Sequence, residues 1–330
     1  MLKAYIQLNQ KHDTKLEKIM AANKISVRMK CIVVLFLSIA LLFTSAFVFP
    51  PQPVKRRNDM LFAKSNLLAW CIVPYDSKKR NSEERAQMLD ELGIRSIAYD
   101  MRDRDLPNME TEFLTLKKHK IEMKGIWFWV DTDAGEKLNF ANEAILKALK
   151  NTNTQTELWV SFPGKFFTGL TEVDKVQKGA EIIKYVHHRA AEIGCTIALY
   201  NHEDWFGEPS NEVKIIEASG LRDVHIVYNF HHGHSQVQQF DEILEVTKPY
   251  LSTVNLNGMK GSEFNILPLG QGEDELEMMK ALKASGFNGS IGIIGHTENE
   301  DVKVVLQRNI EGLKKLLEEM GDKKALATYK

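Results

Sequence analysis

The chain has 330 residues and a formal net charge of -1, with 26% charged and 44% hydrophobic residues. That balance is ordinary for a globular protein and offers no broad cationic surface for nucleic acid or an anionic membrane. Its cysteines, Cys31, Cys71 and Cys195, form neither a disulfide framework nor a metal-knuckle spacing, and read as small apolar side chains.

Residues 1–50 are expected to be an N-terminal extension carrying a signal peptide or a membrane anchor. Cys31 to Phe49 run without a charge, just long enough to span a hydrocarbon core. Arg28 and Lys30 precede the run, Thr44-Ser45-Ala46 supply small residues for cleavage, and Met29 is a credible second start. The expectation is export to a periplasmic or extracellular compartment, or anchoring, with membrane contact only through this segment if it is uncleaved. Residues 51–65, with PPQP and KRR, read as a linker.

From residue 66 onward, short apolar runs alternate with amphipathic stretches. Strands are predicted at 66–75, 96–101, 122–131, 157–162, 196–202, 224–231, 251–257 and 290–296. Helices are predicted near 82–92, 109–119, 138–150, 173–193, 211–219, 236–248, 274–285 and 301–320. In the fourth helix Val176, Ile182, Ile183, Val186 and Ala190 recur at about 3.6-residue spacing, between lysines and glutamates. Gly194, Gly220 and Gly286 follow helices, as chain-reversing caps do. Strict β-then-α alternation implies a parallel sheet with helices outside. The fold class is therefore α/β, a (β/α)8 TIM barrel over 66–320, preceded by the signal or anchor segment and followed by a C-terminal tail at 321–330.

In such barrels the chemistry sits at the C-terminal ends of the strands. Those ends gather Tyr75, Asp100, Trp127 and Trp129 early in the chain, and His202, His231, His232, His234 and His296 later. The last five are half of the ten histidines, a concentration that points to proton transfer or ligation rather than packing. Trp129 and Trp205 offer aromatic faces to the C–H face of a sugar ring. Tyr200, Asn201, Asn229, His231, Asn255 and Asn257 offer directional partners for hydroxyls. The run Arg102-Asp103-Arg104-Asp105 reads as a solvated loop.

Four passages resemble the sugar-phosphate isomerase/epimerase family of xylose-isomerase-like barrels. The most specific is LPLGQGEDELEMMKALKASGFNGSIGI at 267–293, similar to that family's "lGxGxxdxxxxxxaLxxxGydGxl". IALYNH (197–202) is similar to "laxEnH", VYNFHH (227–232) to "xlDxgH", and TVNLNG (253–258) to "hvHlkD". The resemblance implies a divalent metal held by Glu, Asp, His and Glu from strands five to eight. Here Tyr200, Asn229 and Asn255 stand at the first three places, and Ile294 or His296 at the fourth. Without the two carboxylates the site loses the charge a hard cation needs, so no cofactor is expected. An imidazole site built from His202, His231, His232 and His296 is the alternative for a divalent metal.

The function implied is isomerisation or epimerisation of a small carbohydrate by proton abstraction beside a carbonyl. His202 or His232 would be the base, and His296 or Lys260 would steady the oxyanion. Two readings stand beside it: a lyase or hydratase of oxidised sugars, and a non-catalytic carbohydrate-binding barrel.

Overall fold

The structure is a computed structural model that describes residues 60–132, 137–202, 204–261 and 265–330. The signal or anchor expectation, and all but the last residues of the expected linker, lie outside the described residues. Among the described residues no helix is long and apolar enough to cross a membrane.

The strands are β1 (Leu67–Trp70), β2 (Ser96–Tyr99), β3 (Glu122–Trp129), β4 (Glu157–Ser161), β5 (Thr196–Tyr200), β6 (Val224–Asn229), β7 (Leu251–Leu256) and β8 (Ser290–Ile294). They close into one barrel in sequence order, and every neighbouring pair is parallel. The helices outside are α1 (Ser82–Leu92), α2 (Met109–Lys118), α3 (Phe140–Asn151), α4 (Glu172–Ala191), α5 (Pro209–Ser219), α6 (Phe240–Thr247), α7 (Glu275–Ser285) and α8 (Val302–Glu319). A parallel pair requires a crossover, and the seven helices α1 to α7 supply those between successive strands, while α8 follows β8.

The strands end sooner than the predicted apolar runs. Cys71 takes φ 55°, the left-handed region, and this turns the chain out of β1 five residues before the expected end. The predicted helix at 236–248 is shorter for a related reason. Residues Phe230–Gln239 form 3-10 turns, begun by the Asn229 side chain accepting from the His231 N–H at 3.2 Å.

Alternation along each strand separates two cores. Ile97, Ile197, Leu199, Ile226, Ile291 and Ile293 point outward into the layer beneath the helices. Leu68, Trp70, Ala98, Trp159, Ala198, Tyr200, Val227 and Ile294 fill the barrel itself. Trp159 is the keystone of that interior. It meets Trp70 edge-on at 4.8 Å and stacks on Tyr200 at 5.9 Å. Its Nε1 donates to Glu157 at 3.0 Å, and that carboxylate also accepts from Ser252 Oγ and pairs with His225 Nδ1 at 2.8 Å. Gly125 on β3 leaves the room the indole occupies.

The last residues pack against the first described ones. A short helix α9 (Lys323–Leu326) leads to Tyr329, whose hydroxyl donates to Phe62 O at 2.7 Å, while Lys64 N donates to Thr328 Oγ1. Leu61 and Phe62 are fully buried beneath them. The family-like passage at 267–293 is likewise architectural. Glu275 accepts from the N–H groups of Met259, Gly270 and Gly272, and Asn309 of α8 accepts from Leu269 N. This clamps the β7–α7 loop onto α8.

Glu212 on α5 is fully buried, and neither carboxyl oxygen has a hydrogen-bond partner among the described residues. Burial raises its pKa well above the usual carboxylate range. A carboxyl whose folded pKa is raised leaves its stability contribution intact below the unfolded value of about 4.3, and loses it as pH rises toward the folded pKa. Glu212→Gln is therefore expected to raise the melting temperature, little at pH 4 and progressively more toward pH 8. Thermal melts across that range check it; a gain that is the same at every pH contradicts it.

Candidate active site

A cavity of about 230 Å3 opens at the C-terminal ends of the strands. Its floor is the top of the aromatic interior, Trp70 and Tyr200, with Trp127 at the side. The Tyr200 hydroxyl accepts from Trp70 Nε1 at 3.1 Å and from Asn229 Nδ2, which fixes both side chains. His202 follows β5, with its ring 4.5 Å from that of His232 and 5.4 Å from Trp127. His231 and His232 are delivered by the 3-10 turns after β6, with ring centres 4.8 Å apart. His296, past β8, stacks on Tyr75 at 3.4 Å.

The sequence-predicted residues divide clearly. His202, His231, His232, His296, Tyr200 and Asn229 line this cavity together. Asn229 spends its amide on Tyr200 and on the His231 N–H, so it positions its neighbours. Trp129 stands in an adjoining outer cavity of about 580 Å3, stacked with Trp127 at 5.5 Å; His202, Trp127 and Arg102 line both spaces.

Five of the expected residues lie outside the lining of this cavity. Lys260 lies in the β7–α7 loop, paired with Glu273 at 3.2 Å, and does not line the cavity. Trp205 turns away after β5, donates to Glu172 and packs on Phe167. Asn201 exchanges hydrogen bonds with the Asn229 backbone and so ties β5 to β6. Asn257 donates to its own loop, at Gly258 O. Asn255 is buried outside the cavity lining, its amide without a hydrogen-bond partner among the described residues. Trp205 and Lys260 fail because alternation fixes a side chain's face only while the strand continues.

What the sequence reading passed over is the opposite wall. Asp100, one residue past β2, is 2% exposed and lines the cavity. Its Oδ1 accepts from Val73 N at 3.3 Å, and its Oδ2 has no hydrogen bond among the described residues. Burial lifts its pKa from the ordinary carboxylate value to about 7, against the lowering pull of Arg102. Cys71 and Tyr75 lie beside it, and burial raises both of their pKa values. Arg102 borders the cavity as well, while Arg102, Asp103 and Arg104 are all exposed, as the reading of a solvated loop expects. The available signal was position: Asp100 is the acidic residue that ends an apolar strand on the inward alternation of Ala98.

The histidines are in the opposite condition. Burial pushes His231 down to about 4, with nearby imidazoles adding to the effect, and pushes His232 well below its usual value. His296 is lowered too, chiefly by burial. These rings are neutral at pH 7. With the imidazolium forms disfavoured by burial, these rings are weak bases, yet each keeps an N–H that can donate to a developing oxyanion.

The residues do not fit the metal implied by the resemblance. Tyr200 is a buried phenol whose burial holds its pKa far above normal, and its oxygen is already engaged. No carboxylate from β5–β8 lines the cavity. Among the described residues no group of three His, Cys, Asp or Glu side chains is arranged to hold a metal ion, His202, His231, His232 and His296 included.

Residues 61–321 match the family described as xylose isomerase-like TIM barrels, and the chain belongs to that family. Among solved structures it is similar to 3-keto-D-glucoside 4-epimerase from E. coli, with a TM-score of 0.58 and 14% identity, covering 76% of this chain and 100% of that one. It is similar to D-psicose 3-epimerase from Clostridium cellulolyticum H10, at TM-score 0.57 and 12% identity over 76% and 98% of the two chains. It is also similar to an AP endonuclease of family 2 from Brucella melitensis, at 0.56 and 13% over 73% and 96%. No curated protein matches the sequence.

Proposed function

We propose that this protein is a carbohydrate isomerase or epimerase that moves a proton on the carbon beside a carbonyl, using its own side chains in place of the family's usual metal. The observation that carries this reading is Asp100, a nearly buried carboxyl on one wall of a small cavity whose facing wall is imidazole. Eight strands closed in sequence order put β2 and β6 diametrically opposite. Asp100 therefore addresses a bound ring from one side, and His232 from the other.

In this reading Asp100, ionised, takes the proton. The negative charge passes to the carbonyl oxygen as the enediolate forms. The neutral rings of His232 and His296 donate hydrogen bonds to that oxygen; Asp100 then returns its proton to the neighbouring carbon as a proton moves between the two enediolate oxygens, which completes an isomerisation, or water on the opposite face reprotonates the first carbon and takes back the Asp100 proton, which completes an epimerisation. His232 thus changes role from candidate base to candidate oxyanion donor. His202, between the two cavities, and the tryptophan faces of Trp70 and Trp127 orient the ring. At about 230 Å3 the inner cavity is smaller than those of roughly 300–1,000 Å3 that take drug-sized ligands, which suits a single sugar ring. The net charge of -1 and the small inner cavity argue against a nuclease.

The test is solvent exchange. The full-length protein is incubated in D2O with a panel of aldoses, ketoses, uronates and sugar phosphates. Deuterium is expected at the carbon next to the carbonyl of one class, seen by NMR. Sugar binding with no exchange for any member would favour the non-catalytic carbohydrate-binding reading.

A further inference from the structure

Arg102 is placed where a substrate anion would be read. It is the only lysine or arginine among the residues lining the inner cavity, and it lines the outer cavity as well. Its guanidinium makes no ion pair with a carboxylate among the described residues. One arm donates to Met101 O at 2.9 Å, the other to the Tyr75 hydroxyl at 3.3 Å, and the planar group lies 5.7 Å from the centre of the Tyr75 ring. Tyr75 is in turn stacked on His296. The arginine is thereby aimed by a tyrosine that belongs to the site, and its charge is not consumed locally.

The rest of the cavity does not cancel that charge. The only carboxylate in the lining is Asp100, which carries no hydrogen bond from Arg102 and is about half protonated near neutrality. The imidazoles of His231, His232 and His296 are uncharged there. One guanidinium beside neutral imidazoles and a half-neutral acid leaves a net positive charge at the mouth of the cavity, carried on a solvent-exposed side chain. Guanidinium is also the side chain whose fork matches carboxylate and phosphate oxygens.

We infer that the substrate is an anionic sugar, a uronate or a sugar phosphate, whose acid group docks on Arg102 at the junction of the two cavities while its ring lies over Trp70 and Tyr200. This rests on the carbohydrate reading of the site and narrows its substrate class.

The test is calorimetric binding to the full-length protein at low salt, with D-glucose, D-glucuronate, D-galactose, D-galacturonate and D-glucose 6-phosphate as probes. At least one anionic sugar is expected to bind about tenfold or more tighter than its neutral parent. Arg102→Gln is expected to abolish that preference, bringing the anionic sugar's affinity to that of its neutral parent measured on the same variant, and Arg102→Lys to keep part of it. A stronger response to the 6-phosphate than to the uronates identifies phosphate as the group read by Arg102; the reverse identifies carboxylate. Equal binding of neutral and anionic sugars by the parent protein, or a preference that survives in Arg102→Gln, overturns the inference. An Arg102-dependent preference without deuterium exchange upholds this inference and removes the proton-transfer reading. Failure of every probe to bind removes both.

Discussion

Asp100→Asn is expected to lower turnover of the exchanging sugar by at least about 100-fold, the usual scale for losing a general base. Asparagine keeps the shape and can keep accepting from Val73 N, but it cannot take a proton. The parent's rate should rise with pH through a limb near 7, because the ionised carboxyl is the working form and burial sets its pKa at about 7. That limb should vanish in the variant. Stability supplies an independent check. A carboxyl raised from its ordinary value to about 7 leaves its contribution whole below about 4 and loses it as pH climbs to 7. The variant should therefore gain melting temperature relative to the parent between pH 4 and 7. Parent-like turnover in a folded Asp100→Asn protein would take the carboxyl out of the mechanism.

Trp159→Ala should have the largest effect on stability. The indole is completely buried in the barrel, wedged between Trp70 and Tyr200 and opposite Gly125. Truncating a buried tryptophan costs about 3–5 kcal/mol, because the cavity left behind collapses only in part. Denaturant unfolding would read the loss directly. Trp159→Phe keeps a ring but loses part of the buried indole as well as the hydrogen bond to Glu157, an intermediate cost of about 1–3 kcal/mol. The same truncation should depress sugar binding, since Trp70 and Tyr200 form the cavity floor and lean on Trp159. A near-parental unfolding midpoint for Trp159→Ala would mean the interior is far less tightly packed than its ring contacts indicate.

Alternation of apolar runs with amphipathic stretches was enough to locate every strand and its helix, because each barrel unit is local in sequence. The two-residue alternation of a strand accounts in the same way for Ala198 and Tyr200 on the inner face and Ile197 and Leu199 on the outer. The gathering of His202, His231, His232 and His296 followed from the same logic. Asp100 was visible as a strand-end residue, but nothing in its neighbours reveals that it is buried or that burial moves its pKa. Arg102 was read as solvated because a run of alternating charges usually is. It is exposed, and that it also borders the cavity depends on Tyr75, which lies on a different loop. Lys260 and Trp205 marked the converse limit. Each lies past the end of a strand, where the backbone, not the alternation, decides direction.

One joint of the ring has a consequence for how the site behaves in time. β1 is registered to β8 through four residue pairs but to β2 through one, Ala69 with Ile97. The bond from Val73 N to Asp100 crosses just above that thin seam. Local opening is easiest where few backbone bonds must break together, so the barrel should breathe at the β1–β2 edge. Each such excursion lets water reach the Asp100 carboxyl and briefly returns it to an ordinary acidity. The gap thereby gives the buried acid a route to exchange its proton with solvent between turnovers, without opening the mouth of the site.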